Sequence, residues 1–149
     1  MNANPLARGI VFDLPAVVTT TRARLEAGGL TDRCEIVAGD FFKAVPEAGE
    51  LYTLASIIHD WDDASGRVIL ENCRRAMSSR AKLLLIELLI PSGDTPFFGK
   101  WLDLHMLACF GGRERTEAEY RQLLADSGFK VTRVLPTGKL SSLIEAEVA

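Results

Sequence analysis

The chain has 149 residues, 48% of them apolar and 25% charged, which suits one globular domain and excludes a disordered composition. Seventeen Lys and Arg against twenty Asp and Glu leave a net charge of −3, which argues against a general nucleic-acid binder or a binder of anionic membranes. Met1 to Arg8 lacks the basic start and apolar run of a secretory signal, and no uncharged stretch approaches the ~20 residues that span a bilayer. Cys34, Cys73 and Cys109 are widely spaced, odd in number and without a C-x-x-C pair. They read as free thiols in a reducing compartment, so the cytoplasm is the expected location and no metal site is expected.

Taken in chain order, Gly9–Leu14 reads as a short buried strand and Ala16–Ala27 as a helix closed by Gly28 and Gly29. Cys34–Ala38 and Leu51–Ile58 are two further strands. Ala64–Met77 places Val68, Ile69, Cys73, Ala76 and Met77 on one side at helical spacing. Leu83–Ile90 is an almost continuous aliphatic run ending at Pro91, the pattern of a strand buried on both faces. Trp101–Phe110 reads as an apolar helix ending at Gly111 and Gly112, and Thr116-x-x-Glu119 as a capping box that opens a helix stopping at Ser127-Gly128. Lys130–Leu135 and Leu140–Glu147 close the chain as a pair of strands. The order β-α-β-β-α-β-α-α-β-β predicts an α/β fold, an open sheet with parallel pairing early and an antiparallel end.

Several residues sit where chemistry is done in such sheets, beyond the carboxyl ends of the strands. Asp13 ends the first strand, where an acid can accept both hydroxyls of a ribose; it can equally cap the helix that follows Pro15. Asp40 and Phe41 hold the same place after the second strand, where they can meet an adenine amino group and ring face or simply form a turn. His59, in His59-Asp60-Trp61-Asp62-Asp63, follows the third strand and can act as a general base, since an imidazole titrates near neutrality. As a lone motif it is more often a structural loop histidine than a base, and Asp62 or Asp63 reads as the cap of the helix from Ala64. Glu87 interrupts an aliphatic run, where an unpaired carboxylate is costly, so it needs either an arginine partner or a histidine to orient. Glu114, between two arginines, reads as a solvated loop charge, and His105 as packing or pocket lining.

Together these segments resemble the S-adenosylmethionine-dependent O-methyltransferases that include the plant caffeate, acetylserotonin and bacterial polyketide enzymes. The resemblance runs from Gly9 to about Glu147. It rests on FDLP (12–15), GDFF (39–42), HDWDD (59–63), ILENCRRAM (69–77), the IE of LLLIELLIP (83–91), DLHML (103–107) and GGRERTEAEYRQLLADSGF (111–129). It implies a Rossmann-like class I methyltransferase sheet and transfer of a methyl group from S-adenosylmethionine to a hydroxyl of an aromatic or polyketide-like small molecule, without a metal. His59 would be the base, Glu87 and Glu114 the carboxylates that hold its imidazole, and Asp13 the ribose ligand. Asp40 and Phe41 would meet the adenine, and Met106 would line the acceptor pocket.

The family's helical dimerisation domain and its D-x-G-x-G-x-G turn have no counterpart in this chain, and Ala55 stands where plant members carry a basic residue. Residues 1–149 thus read as the C-terminal part of a catalytic domain with an incomplete sheet. In the family sheet the strand without a counterpart lies between those matching Gly9–Leu14 and Leu51–Ile58. The two strands are therefore expected to pair directly, to accept a strand from another copy or subunit, or to fold poorly alone; association is the favoured outcome, with a homo-oligomer or a complementing N-terminal chain as the expected partner. The alternative function is a non-catalytic or split-subunit module that needs that partner. A nicotinamide-binding protein is disfavoured because no G-x-G-x-x-G is present.

Overall fold

A computed structural model of the protein describes residues 4–149, so the reading of the N-terminus falls partly outside the described residues. The chain divides into two compact units, Met1–Glu47 and Ala48–Ala149.

The first unit is a βαβ element: β1 (Gly9–Asp13), α1 (Pro15–Ala27) and β2 (Cys34–Ala38). The strands pair in parallel from Gly9↔Cys34 to Asp13↔Ala38, and parallel neighbours need a crossover, which α1 supplies. Pro15 starts the helix at a position where its missing N–H is no loss. The core of this unit is thin. Leu25 is the buried residue of α1, while Ile10, Leu14 and Val17 are exposed.

The second unit carries the larger core. Its strands are β3 (Leu51–Ala55), β4 (Lys82–Leu88), β5 (Phe129–Pro136) and β6 (Ser141–Val148), in the spatial order β3-β4-β6-β5. β3 and β4 are parallel, whereas β6 runs antiparallel to both β4 and β5, with an irregularity between Val131 and Arg133. Its helices are α2 (Asp63–Ala76), α3 (Phe98–Phe110) and α4 (Glu117–Asp126). Ile69, Leu70 and Cys73 of α2, Leu83 and Leu85 of β4, Tyr120 and Leu124 of α4 and Ile144 of β6 are all fully buried. The mixed parallel and antiparallel α/β architecture is the expected one.

Three departures from the sequence reading have local causes. The third strand stops at Ala55 rather than Ile58, because Ser56 takes a left-handed φ of 52° and the chain turns into a short 3-10 segment, Ile58–Asp60. The aliphatic run of β4 is less buried on its second face: Leu83, Leu85 and Glu87 are buried, whereas on the other face Leu88 is buried and Leu84 and Ile86 are half-buried. Val68, grouped with the apolar side of α2, is exposed. The caps agree with expectation. Asp62 accepts the Ser65 N–H at 2.8 Å, and α3 ends on Gly111 at φ 72°, a left-handed conformation that suits glycine.

α3 presents an unusual surface. Phe98, Trp101, Leu104, Leu107 and Phe110 recur every third residue and are all exposed, Trp101 by 74%, while Met106 is buried. Among the described residues β1 is laddered only to β2 and β3 only to β4, so each keeps one free edge. Among the described residues no cysteine forms a disulfide, and no helix is long and apolar enough to cross a membrane.

The capping box of α4 is complete: Thr116 Oγ1 accepts the Glu119 N–H at 3.2 Å, and Glu119 Oε2 accepts the Thr116 N–H at 2.8 Å. Thr116→Ala is expected to cost about 1 kcal/mol, read as a lower urea midpoint with an unchanged slope.

Candidate active site

The site in the second unit begins where β3 ends. Its last ladder-like bond is from the Ser56 N–H to the Ile86 carbonyl at 3.0 Å, after which the backbone leaves the sheet. Glu87, on neighbouring β4, takes over. Its Oε1 accepts the amides of Ile57 and Ile58 at 3.1 and 2.9 Å, turning the chain into the 3-10 segment that carries His59. Glu87 is 1% exposed and has no arginine partner among the described residues. Burial pushes its carboxyl above the ordinary 4.5, while the Ile58 amide, the His59 imidazole and the Ile57 amide pull it back. Its contact is thus with the backbone that presents His59 rather than with the imidazole.

The imidazole is held by Glu114. His59 Nδ1 and Glu114 Oε1 are 2.9 Å apart, and Glu114, expected as a solvated loop charge, is 1% exposed. A carboxylate oxygen only accepts, so the proton lies on Nδ1 and Nε2 is left as the basic nitrogen, 3.5 Å from Asp60 Oδ1. Glu114 is in turn seated by its own N–H, which donates to Asp103 Oδ1 at 2.8 Å. The bond to Glu114 raises the His59 pKa above the ordinary 6.5; burial works against it, and the charges of Glu87, Glu114 and Asp60 add to it.

The other expected residues fall as follows. In the first unit Asp13 is the last residue of β1 and Asp40 lies two residues past β2, and the two strand ends meet through the Gly39 N–H to the Asp13 carbonyl at 2.9 Å. Asp13, half-buried, accepts the Leu14 N–H on Oδ1 at 2.7 Å, leaving its second oxygen uncommitted. Asp40 is tied to its own turn, accepting from the Phe42 N–H at 2.9 Å and meeting Lys43 at 3.3 Å. Phe41 packs edge-on against Phe42. In the second unit Met106 is buried in α3 and does not line the open apolar groove formed by Pro96, Phe97, Phe98, Lys100, Trp101 and Leu104. His105 is exposed rather than packed inside, with Cys109 Sγ 3.7 Å from its Nδ1. No group of three or more His, Cys, Asp or Glu is disposed to hold a metal among the described residues.

Sequence reasoning missed Gly112 and Arg115, both buried around the His59 turn. An arginine in a charged loop gives no sign of burial, and the one available signal was the second glycine of Gly111-Gly112, which a helix stop does not need.

The second unit is therefore an α/β domain with a carboxylate-held imidazole beyond the carboxyl end of a parallel strand. Residues 1–130 match the O-methyltransferase domain family, and the chain belongs to it. The chain is 51% identical to a phenazine O-methyltransferase of Lysobacter antibioticus, over 98% of this chain and 43% of that protein. Its fold matches the crystal structure of LaPhzM with a TM-score of 0.94 at 51% identity, over 99% of this chain and 45% of that one. An O-methyltransferase from neocarzinostatin biosynthesis, solved with S-adenosylmethionine and 2-hydroxy-5-methyl naphthoic acid, matches at a TM-score of 0.86 and 34% identity, over 95% and 42%. The chain thus spans under half the length of these relatives.

The raised His59 pKa has a stability consequence of definite sign. The folded protein holds the imidazole proton more tightly than the unfolded chain does, so the stabilisation is full below about pH 6.5 and is lost as pH rises through the folded value. Glu87 adds loss in the same direction from its own ordinary value of 4.5 upward. Urea denaturation as a function of pH should show stability falling above 6.5, and Glu114→Gln should flatten that limb.

Proposed function

We propose that this domain serves the transfer of a methyl group from S-adenosylmethionine to a hydroxyl of an aromatic or polyketide-like small molecule, with His59 as general base. The observation that carries this reading is the 2.9 Å contact between His59 Nδ1 and the buried Glu114, which leaves Nε2 free to take a proton. S-adenosylmethionine, when bound, supplies an electrophilic methyl group on a positively charged sulfur. This chain's residues prepare the acceptor: Nε2 takes the hydroxyl proton as the oxygen becomes nucleophilic, and Glu114 stabilises the imidazolium that forms. Glu87 holds the turn so that the base stands at a fixed place.

Asp13 fits a ribose ligand, since its second oxygen is uncommitted at the end of β1. Asp40 and Phe41 fit less directly, because both oxygens of Asp40 already have a contact in its own turn, with the Phe42 N–H and with Lys43. Met106 would act from within α3 by shaping the wall of the acceptor pocket.

Incubation with methyl-labelled S-adenosylmethionine and a panel of phenols tests the reading. Where turnover is found, with the chain alone or complemented by a second chain, His59→Ala should lower it about 10²–10⁴-fold and leave cofactor binding intact. Full turnover in that variant would sink the base assignment.

The apolar stripe of α3 and the free edges of β1 and β3 favour a second reading, a subunit that works only with a partner chain or a second copy. Light scattering should then report association rather than a monodisperse monomer, and binding of the cofactor without turnover would favour the module over the autonomous enzyme.

A further inference from the structure

We infer that Arg115 is a positioning residue for His59: it clamps the backbone on both sides of the imidazole and so sets where the base stands. The inference rests on the reading of His59 as the base, but its geometry is independent of that reading. Beyond Ala55 the chain has left the sheet, and its carbonyls need donors as its amides need acceptors. Glu87 serves the amides of Ile57 and Ile58. Arg115 serves the carbonyls: Nη1 donates to Ile58 O at 3.1 Å and Nη2 to Trp61 O at 2.8 Å, flanking His59 on either side.

The guanidinium has no spare valence. Its remaining donors go to Asp63 Oδ1, from Nε at 2.9 Å and Nη2 at 2.8 Å, and to Arg113 O from Nη1 at 3.3 Å. All five N–H groups of the fork are used. The side chain is 0% exposed, with the Tyr120 ring 5.7 Å below its central carbon. A buried cation is tolerable only when paired and fully bonded, and Asp63, at the start of α2, provides the charge. Lysine offers three donors from one point and cannot reproduce the planar fork.

The neighbours of Arg115 act on the same turn. The Arg113 N–H donates to His59 O at 2.9 Å, and Glu114 holds Nδ1. Gly112 makes the approach possible: a Cβ there would lie 2.2 Å from His59 O and 2.5 Å from the carbonyl carbon of Asp60, both rigid backbone atoms. One four-residue segment thus holds His59 by its carbonyl, its ring and the carbonyls to either side.

Histidine-ring NMR tests this directly, because the chain has only two histidines and His105→Asn assigns the pair. The charged groups facing His59 are Glu114, Glu87 and Asp60, and Arg115→Lys alters none of them while keeping the positive charge. A loosened turn weakens the Glu114 contact, so the His59 midpoint in Arg115→Lys should fall toward 6.5 in a protein that still unfolds cooperatively. In any context with turnover, kcat should fall about 10–100-fold with cofactor affinity unchanged. Asp63→Ala, at a half-exposed position, should give a smaller shift of the same sign and serves if Arg115→Lys does not fold. A wild-type midpoint in whichever of the two folds would overturn the proposal. If His59→Ala retains turnover while the midpoint moves, the clamp stands and the base reading falls.

Discussion

Where β3 ends at Ala55, the chain must leave the sheet with its peptide groups bonded to something other than a neighbouring strand, and the second unit is organised around that need. Two buried charged side chains, Glu87 and Arg115, meet it from the interior, and a third, Glu114, holds the ring of His59; each is no more than 1% exposed. A negative group collects amides, a positive group collects carbonyls, and the turn between them carries His59. Buried charges are costly unless bonded, so the fold tolerates these three only because each has its partners in the same small volume.

The two carboxylates divide the work. Glu114 bonds the ring and so decides which nitrogen is basic; Glu87 bonds the backbone and decides where the ring is presented. Their environments differ correspondingly. Glu87 sits on the buried face of β4 with its carboxyl pushed up by burial, although in both carboxylates Oε2 makes no hydrogen bond. Glu114 lies on a loop and is seated through Asp103 of α3, which links the base to the same helix that exposes an apolar stripe.

The units also differ in how far they stabilise themselves. The second has a continuous core between its sheet and α2 and α4, built from aliphatic side chains near zero exposure. The first is one βαβ crossover with a single buried side chain on its helix and apolar residues left in solvent. A small element of that kind buries too little apolar surface to offset the entropy of ordering its chain, and it gains stability from whatever covers those faces.

The sequence by itself determined the elements and their order. The capping box at Thr116, an aspartate cap at Asp62 or Asp63, the glycine stop at Gly111 and the alternation of strands with helices are local patterns, decided by side chains within one or two turns of the backbone they act on. It also pointed to Glu87, because a carboxylate in an aliphatic run is anomalous on sight. Only the tertiary structure decided what Glu87 bonds, that Glu114 is buried and not solvated, that Val68 faces outward, and that Arg115 encloses a turn more than fifty positions earlier. Those outcomes depend on which side chains meet across 29 to 57 positions of sequence. A charge in a loop looks the same in one dimension whether it meets water or a carboxyl partner, because burial is a property of the neighbours the fold brings to it.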